Sequence, residues 1–145
     1  MCTGFVPQAA PLVRYAIGDR ALIDESTTCP CGRPGPVIKA IRGADVSAAE
    51  EYPGTILLLD HPTEGGGSGN PWNWSDATEL IEMGVDAILA GGLDPDNVGE
   101  ALRSLGDLLP WGVDVATGVE GDDCRKDPEK MARFVEAVRA AENFD

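Results

Sequence analysis

The chain has 145 residues, 43% hydrophobic and 25% charged, the balance of one soluble globular domain with a short appendage. Its formal net charge of -14 and pI near 4.2, with three lysines and no basic stripe, exclude unassisted binding to nucleic acid or an anionic membrane, which depends on clustered Lys and Arg. No apolar run approaches the ~18 residues of a membrane helix, and the opening has no basic stretch leading into an apolar core, so a cytoplasmic location is expected.

Residues 1–36 are punctuated by proline and glycine, and only 12–15 and 21–23 read as short strands. They are expected to form an irregular or β appendage to a second unit, 37–145. The cysteines are Cys2, Cys29, Cys31 and Cys124. Cys29-Pro-Cys-Gly has the form of half a metal knuckle, but a structural zinc site needs four ligands and no second pair stands at a recognisable spacing. Free thiols and no metal are expected.

From residue 37 the pattern becomes regular. A short apolar strand at 37–41 precedes a brief helical stretch at 47–51, and a second strand follows at 55–59. A glycine-rich loop, 65–69, comes next. Ser75 is expected to cap a short helix carrying Ala77, Leu80 and Ile81, which Gly84 closes. Residues 86–92 read as a strand ending on two glycines, and Asp94-Pro95 supplies a cap and first-turn proline for a helix with Val98, Ala101, Leu102 and Leu105 on its apolar face. Residues 111–118 form the last expected strand. Asp127-Pro128 repeats the helix start signal, and Met131, Phe134, Val135 and Val138 repeat the apolar spacing to about residue 141. Strands alternating with helices through short loops imply parallel strands and right-handed crossovers, hence four consecutive βα units of α/β class.

Asp60 stands where the apolar strand 55–59 gives way to the glycine loop. In parallel α/β folds that end of a strand is where ligands bind and catalytic groups project, although an aspartate there also serves as a plain loop or cap residue. Gly91-Gly92 and Thr117-Gly118 close the last two strands. They read either as turns or as backbone N–H donors around a phosphate. Residues 65–69 read as a loop over a substrate or as a connector. His61 is expected to be a solvent-facing loop residue, Trp72, Trp74 and Trp111 to be packing residues, and 120–123 to be an acidic surface loop.

Taken together, Val-Ile-Lys-Ala-Ile at 37–41, Leu-Leu-Leu-Asp at 57–60, Gly-Gly-Ser-Gly at 66–69, Trp74-Ser75, Leu-Ala-Gly-Gly-Leu-Asp-Pro-Asp-Asn-Val at 89–98, Trp-Gly-Val-Asp-Val at 111–115, Gly-Val-Glu at 118–120 and Lys-Asp-Pro-Glu-Lys at 126–130 resemble the second half of phosphoribosylanthranilate isomerase. The resemblance implies half of a (β/α)8 barrel, and the Amadori rearrangement of N-(5-phosphoribosyl)anthranilate in tryptophan biosynthesis, with no cofactor. It implies Asp60 as the general acid that protonates the ring oxygen. It also implies a phosphorylated substrate held near Gly66, Gly67, Gly91, Gly92, Thr117 and Gly118. The family's base is a cysteine at the end of its first strand, and strands one to four have no counterpart here. Ala116-Thr117-Gly118 also replaces the family's usual Ser-Ser-Gly, removing one hydroxyl. Activity of the chain alone is therefore expected to be impaired or absent. The alternative is a non-catalytic half-barrel from a fused or rearranged gene, kept for phosphate binding or protein association. Open strand edges at 37–41 and 112–116 imply a homo-oligomer or a complementary half-barrel as partner.

Residues 1–36 are more weakly similar to the phenylacetate-CoA ligase branch of adenylate-forming enzymes, through Pro-Leu-Val-Arg-Tyr at 11–15, Gly18-Asp19 and Cys-Pro-Cys-Gly-Arg at 29–33. That resemblance implies Asp19 as a ribose-binding aspartate. The family's phosphate loop and catalytic lysine are missing, so adenylation is not expected.

Overall fold

The structure, a computed structural model, describes residues 38–64 and 69–142. The strand expectations within 1–36, the CxC pair, Asp19, Gly66 and Gly67 lie outside the described residues. The rest builds one four-stranded parallel sheet in the order β1 (Ile38–Arg42), β2 (Ile56–Asp60), β3 (Ala87–Leu89) and β4 (Gly112–Val113). Helices α1 (Ser47–Glu51), α2 (Thr78–Glu82) and α3 (Val98–Arg103) connect successive strands, and α4 (Pro128–Glu142) follows the last. The α/β reading of four βα units is borne out.

Alternation along the strands sorts the side chains onto two faces. Leu57, Leu59, Ala87 and Leu89, none of them exposed, point into a core shared with Leu80, Val98, Ala101, Leu102 and Phe134 of the helices. Burying a leucine or valine in this way contributes roughly 1.5–3 kcal/mol. The other face carries a row running Ala40, Leu58, Ile88, Gly112 across the sheet, set by the parallel register. Ile56 and Ile88, both buried, lie on this second face and outside the helix-side core.

Local chemistry explains most element boundaries. The Asp94 carboxylate accepts from the N–H of Asp96 and of Asn97, both at 2.8 Å, in the turn that carries Pro95 and leads into α3. Asp127 does the same for α4, accepting from Glu129 N–H at 2.8 Å and Lys130 N–H at 3.3 Å ahead of Pro128. At the end of α2, Val85 N–H reaches Leu80 O and Gly84 N–H reaches Ile81 O, the paired bonds of a Schellman close.

Three expectations need correction. Ser75 does not cap a helix: its hydroxyl donates to Asn73 Oδ1, and it lies inside a 3-10 turn, Trp74–Ala77, that starts at Asn73 and buries Trp74 before α2 begins. The strands expected at 86–92 and 111–118 shrink to Ala87–Leu89 and Gly112–Val113, because the chain leaves the sheet to form close-packed turns at Gly91 and Thr117. Trp111 is 52% exposed, whereas Trp72 and Trp74 are buried. It precedes β4, an outermost strand of the sheet among the described residues.

Candidate functional site

The strand ends place two carboxylates on one level. Beyond β3 and β4 the register continues, with Ala90 N–H donating to Leu59 O at 2.9 Å and Asp114 N–H to Leu89 O at 2.7 Å. Asp60, Ala90 and Asp114 therefore stand side by side at the C-terminal ends of three adjacent strands, on the face that carries Leu58, Ile88 and Gly112. The residue between the two aspartates contributes only a methyl group.

Asp60 is half-buried, and its Oδ1 accepts from His61 N–H at 2.8 Å. Gly91 packs against it, since a Cβ at Gly91 would lie 2.9 Å from that oxygen and 2.7 Å from His61 N. The Trp72 indole N–H donates to Ala90 O at 2.8 Å, holding the end of the glycine-rich segment to the end of β3. His61 is half-buried rather than solvent-facing. Its Nδ1 accepts from Thr63 and Glu64 N–H groups, which orders the start of the loop.

Asp114 was not singled out in the sequence. It is buried at 9% exposure, and its pKa is raised from 3.8 to about 6, first by burial and then by the neighbouring Asp60 charge, with Lys126 opposing. The signal that could have found it is the one that found Asp60. An aspartate between Val113 and Val115 at a strand end must face away from the apolar core.

The two glycine turns converge beside this row. A Cβ on Gly92 would lie 2.1 Å from Asn70 O, and one on Gly118 would lie 2.0 Å from Leu93 O, so both positions require glycine for backbone to approach backbone. A Cβ on Gly69 would stand 3.5 Å from Thr117 Oγ1. Thus Gly91, Gly92, Thr117 and Gly118, with the end of the glycine-rich loop at Gly69, gather at one end of the sheet next to Asp60.

Behind the Thr117 turn, Lys126 Nζ donates to Ala116 O at 2.8 Å and to Glu120 Oε1 at 2.7 Å, while Lys130 Nζ donates to Glu120 O at 2.6 Å. The expected acidic surface loop is thus partly internal: Glu120 is half-buried and paired, and Asp122 and Asp123 are exposed.

Consecutive βα units with a carboxylate and glycine turns at the strand C-termini define part of a (β/α) barrel. Residues 31–137 match the family model of N-(5'-phosphoribosyl)anthranilate isomerase, and the chain belongs to that family. The match starts a few residues before the expected boundary at 36/37. The Magnetococcus marinus N-(5'-phosphoribosyl)anthranilate isomerase is 44% identical over 111 residues, covering 73% of this chain and 51% of the relative. The crystal structure of phosphoribosylanthranilate isomerase from Thermotoga maritima superposes with a TM-score of 0.61 at 32% identity, over 72% of this chain and 52% of that one. A phosphoribosylanthranilate isomerase crystallised with reduced 1-(o-carboxyphenylamino)-1-deoxyribulose 5-phosphate aligns with a TM-score of 0.57 at 27% identity, over 72% of this chain and 49% of that one. The chain spans about half the length of the relatives it matches. Among the described residues no helix is long and apolar enough to cross a membrane.

Proposed function

We propose that this chain supplies the acid-bearing, phosphate-holding half of a phosphoribosylanthranilate isomerase. The observation that carries the reading is Asp60, facing inward at the end of β2 and packed against Gly91, within a family match that spans most of the chain. In the reaction Asp60 gives its proton to the ribose ring oxygen as the C1–O bond opens to an iminium. A base then removes the proton from C2, and the resulting enol passes to the ketone of the deoxyribulose product. No oxidant or reductant enters, so no cofactor is required. Backbone N–H groups of Gly91, Gly92, Thr117 and Gly118 hold the phosphate, and Gly66 and Gly67 border the substrate.

Residues 37–145 contain no counterpart of the family's cysteine base, so the isolated chain has little or no turnover, and a complementary half-barrel is its natural partner. The family match favours this enzymatic reading over a non-catalytic module. Residues 1–36 are an appendage carrying the weaker ligase-like resemblance, and the protein works in the cytoplasm. The test is loss of substrate fluorescence with the chain alone, with a separately expressed first half of a family member, and with Asp60→Asn in the mixture. Turnover in the mixture, abolished by Asp60→Asn, is expected. A mixture that assembles yet stays inactive, or activity indifferent to Asp60→Asn, overturns the proposal.

A further inference from the structure

The lysine behind the Thr117 turn directs its charge at a backbone carbonyl. Lys126 Nζ donates to Ala116 O at 2.8 Å and to Glu120 Oε1 at 2.7 Å, and both side chains are half-buried. Withdrawing an ammonium from water costs free energy unless new bonds replace its hydration, so its acceptors fix where this one sits. Glu120 is fixed in turn. Its carbonyl accepts from Lys130 Nζ at 2.6 Å, and Glu120 and Lys126 pair as an antiparallel bridge. The ammonium is thereby delivered to one place, the Ala116 carbonyl.

That carbonyl decides where the next N–H points. The peptide joining Ala116 to Thr117 is planar and trans, so its C=O and N–H face opposite ways. Ala116 has ψ −90°, against about +115° in a parallel strand, so the peptide is turned over as the chain runs on beyond β4. The backbone bond to the same oxygen, from Val119 N–H, is long at 3.4 Å, and the charged donor at 2.8 Å is the stronger constraint. With the C=O drawn toward Lys126, Thr117 N–H is turned away from it. Gly118 pins the other end of the turn, since a Cβ there would lie 2.0 Å from Leu93 O. Between these two anchors the N–H groups of Thr117 and Gly118 meet no acceptor among the described residues, and Thr117 is exposed.

We propose that Lys126 is a positioning residue for the phosphate: it does not touch the anion, but by holding the Ala116 carbonyl it aims the Thr117 N–H at it. Glu120 keeps the ammonium in place for that task. The role rests on the reading of these turns as a phosphate cradle. It gives the cation an effect carried through the backbone, in which the direction of a donor matters and the lysine charge does not reach the ligand.

The experiment is a titration of the whole chain with inorganic phosphate, followed by NMR on backbone carbonyl carbon-13 and amide nitrogen-15 signals. The variant is Lys126→Met combined with Glu120→Gln, which removes both charges, leaves no carboxylate unpaired and keeps the net charge unchanged. Before phosphate is added, the variant should show displaced Ala116 carbonyl and Thr117 amide signals, with those of β1 and β2 in place. It should then bind phosphate roughly fivefold more weakly than wild type, or worse. Equal affinity in the two proteins overturns this inference and leaves the cradle standing. Weaker binding with unmoved Ala116 and Thr117 signals means that Lys126 touches the phosphate itself, which also overturns it. Wild-type Thr117 and Gly118 signals that ignore phosphate remove the cradle and this role together. Should the variant not fold, the wild type decides through the scalar coupling across the hydrogen bond from Lys126 Nζ to the Ala116 carbonyl carbon. That coupling should persist at saturating phosphate; its absence, or its loss when phosphate binds, overturns the proposal.

Discussion

Asn97 and Asp94 cap each other. Asp94 Oδ1 accepts from Asn97 N–H, Asn97 Oδ1 accepts from Asp94 N–H, both at 2.8 Å, and the Asn97 amide also donates to Gly92 O at 2.8 Å. The reciprocal pair is a capping box with asparagine in the place usually taken by glutamate. Its third bond fixes the glycine turn to the start of α3. Asn97→Ala should therefore destabilise the chain by about 1–2 kcal/mol and broaden the amide signals of Gly91 and Gly92. Urea denaturation and an amide NMR spectrum check both parts, and a stability loss without change at Gly92 would show that the turn does not depend on this bond.

Gly118 offers the sharper steric test. A Cβ there would fall 2.0 Å from Leu93 O and 2.9 Å from Asp94 Cα, and backbone cannot yield as a flexible side chain can. Gly118→Ala must open the contact between the last two turns, at a cost on the order of 3 kcal/mol or more. Gly118 is not one of the glycines with positive φ, so the close approach alone carries this cost. A denaturation midpoint for Gly118→Ala that coincides with that of the wild type would show that the close approach carries no cost.

The fold was legible because its signals are local. Asp94-Pro95 and Asp127-Pro128 announce helices through cap chemistry, and the run 56–59 announces a buried strand through its continuous apolar character. Asp60 could be placed because a strand end is visible in sequence. Asp114 and Lys126 were missed because their importance comes from what lies beside them. Burial and the Asp60 charge act on Asp114 only after three strands align, and Lys126 reaches Ala116 only after the chain reverses through the Glu120–Lys126 bridge. Ser75 misled because Asn73, two residues earlier, competes for the same turn with a better-placed side chain.

Phosphate should bind weakly at the converged glycine turns. The donors there are backbone N–H groups, and the nearby Lys126 ammonium is paired with Glu120, so little full charge assists. Titration with inorganic phosphate to tens of millimolar (an order-of-magnitude range for a weak anion site) should move the amide signals of Gly91, Gly92, Thr117 and Gly118 together. Shifts elsewhere, or none, would sink the cradle.

The outer edges of β1 and β4 leave backbone N–H and C=O groups without a strand partner among the described residues. Such edges promote association unless another segment covers them. Analytical ultracentrifugation should show a dimer or larger species that gives way to a heterodimer when a first-half fragment is added. A clean monomer that ignores the fragment would contradict both parts of this expectation.

The last prediction concerns pH and Asp114. Its folded pKa of about 6 lies above the ordinary value of 3.8, so the folded chain holds that proton more tightly than the unfolded chain does. Between those values the folded state carries more protons, and stability falls as pH rises. The destabilisation is complete above about pH 6 and absent below about pH 4. Each pKa unit corresponds to about 1.4 kcal/mol, which puts the whole effect on the order of 3 kcal/mol for this buried group. Asp114→Asn removes the ionisation while keeping the shape. Relative to wild type, the variant should gain about 1–3 kcal/mol at pH 7 and lose that advantage progressively toward pH 4. Urea denaturation of both proteins at several pH values across this window provides the measurement. A stability difference that stays constant with pH would show that Asp114 is not held in its protonated form by the fold.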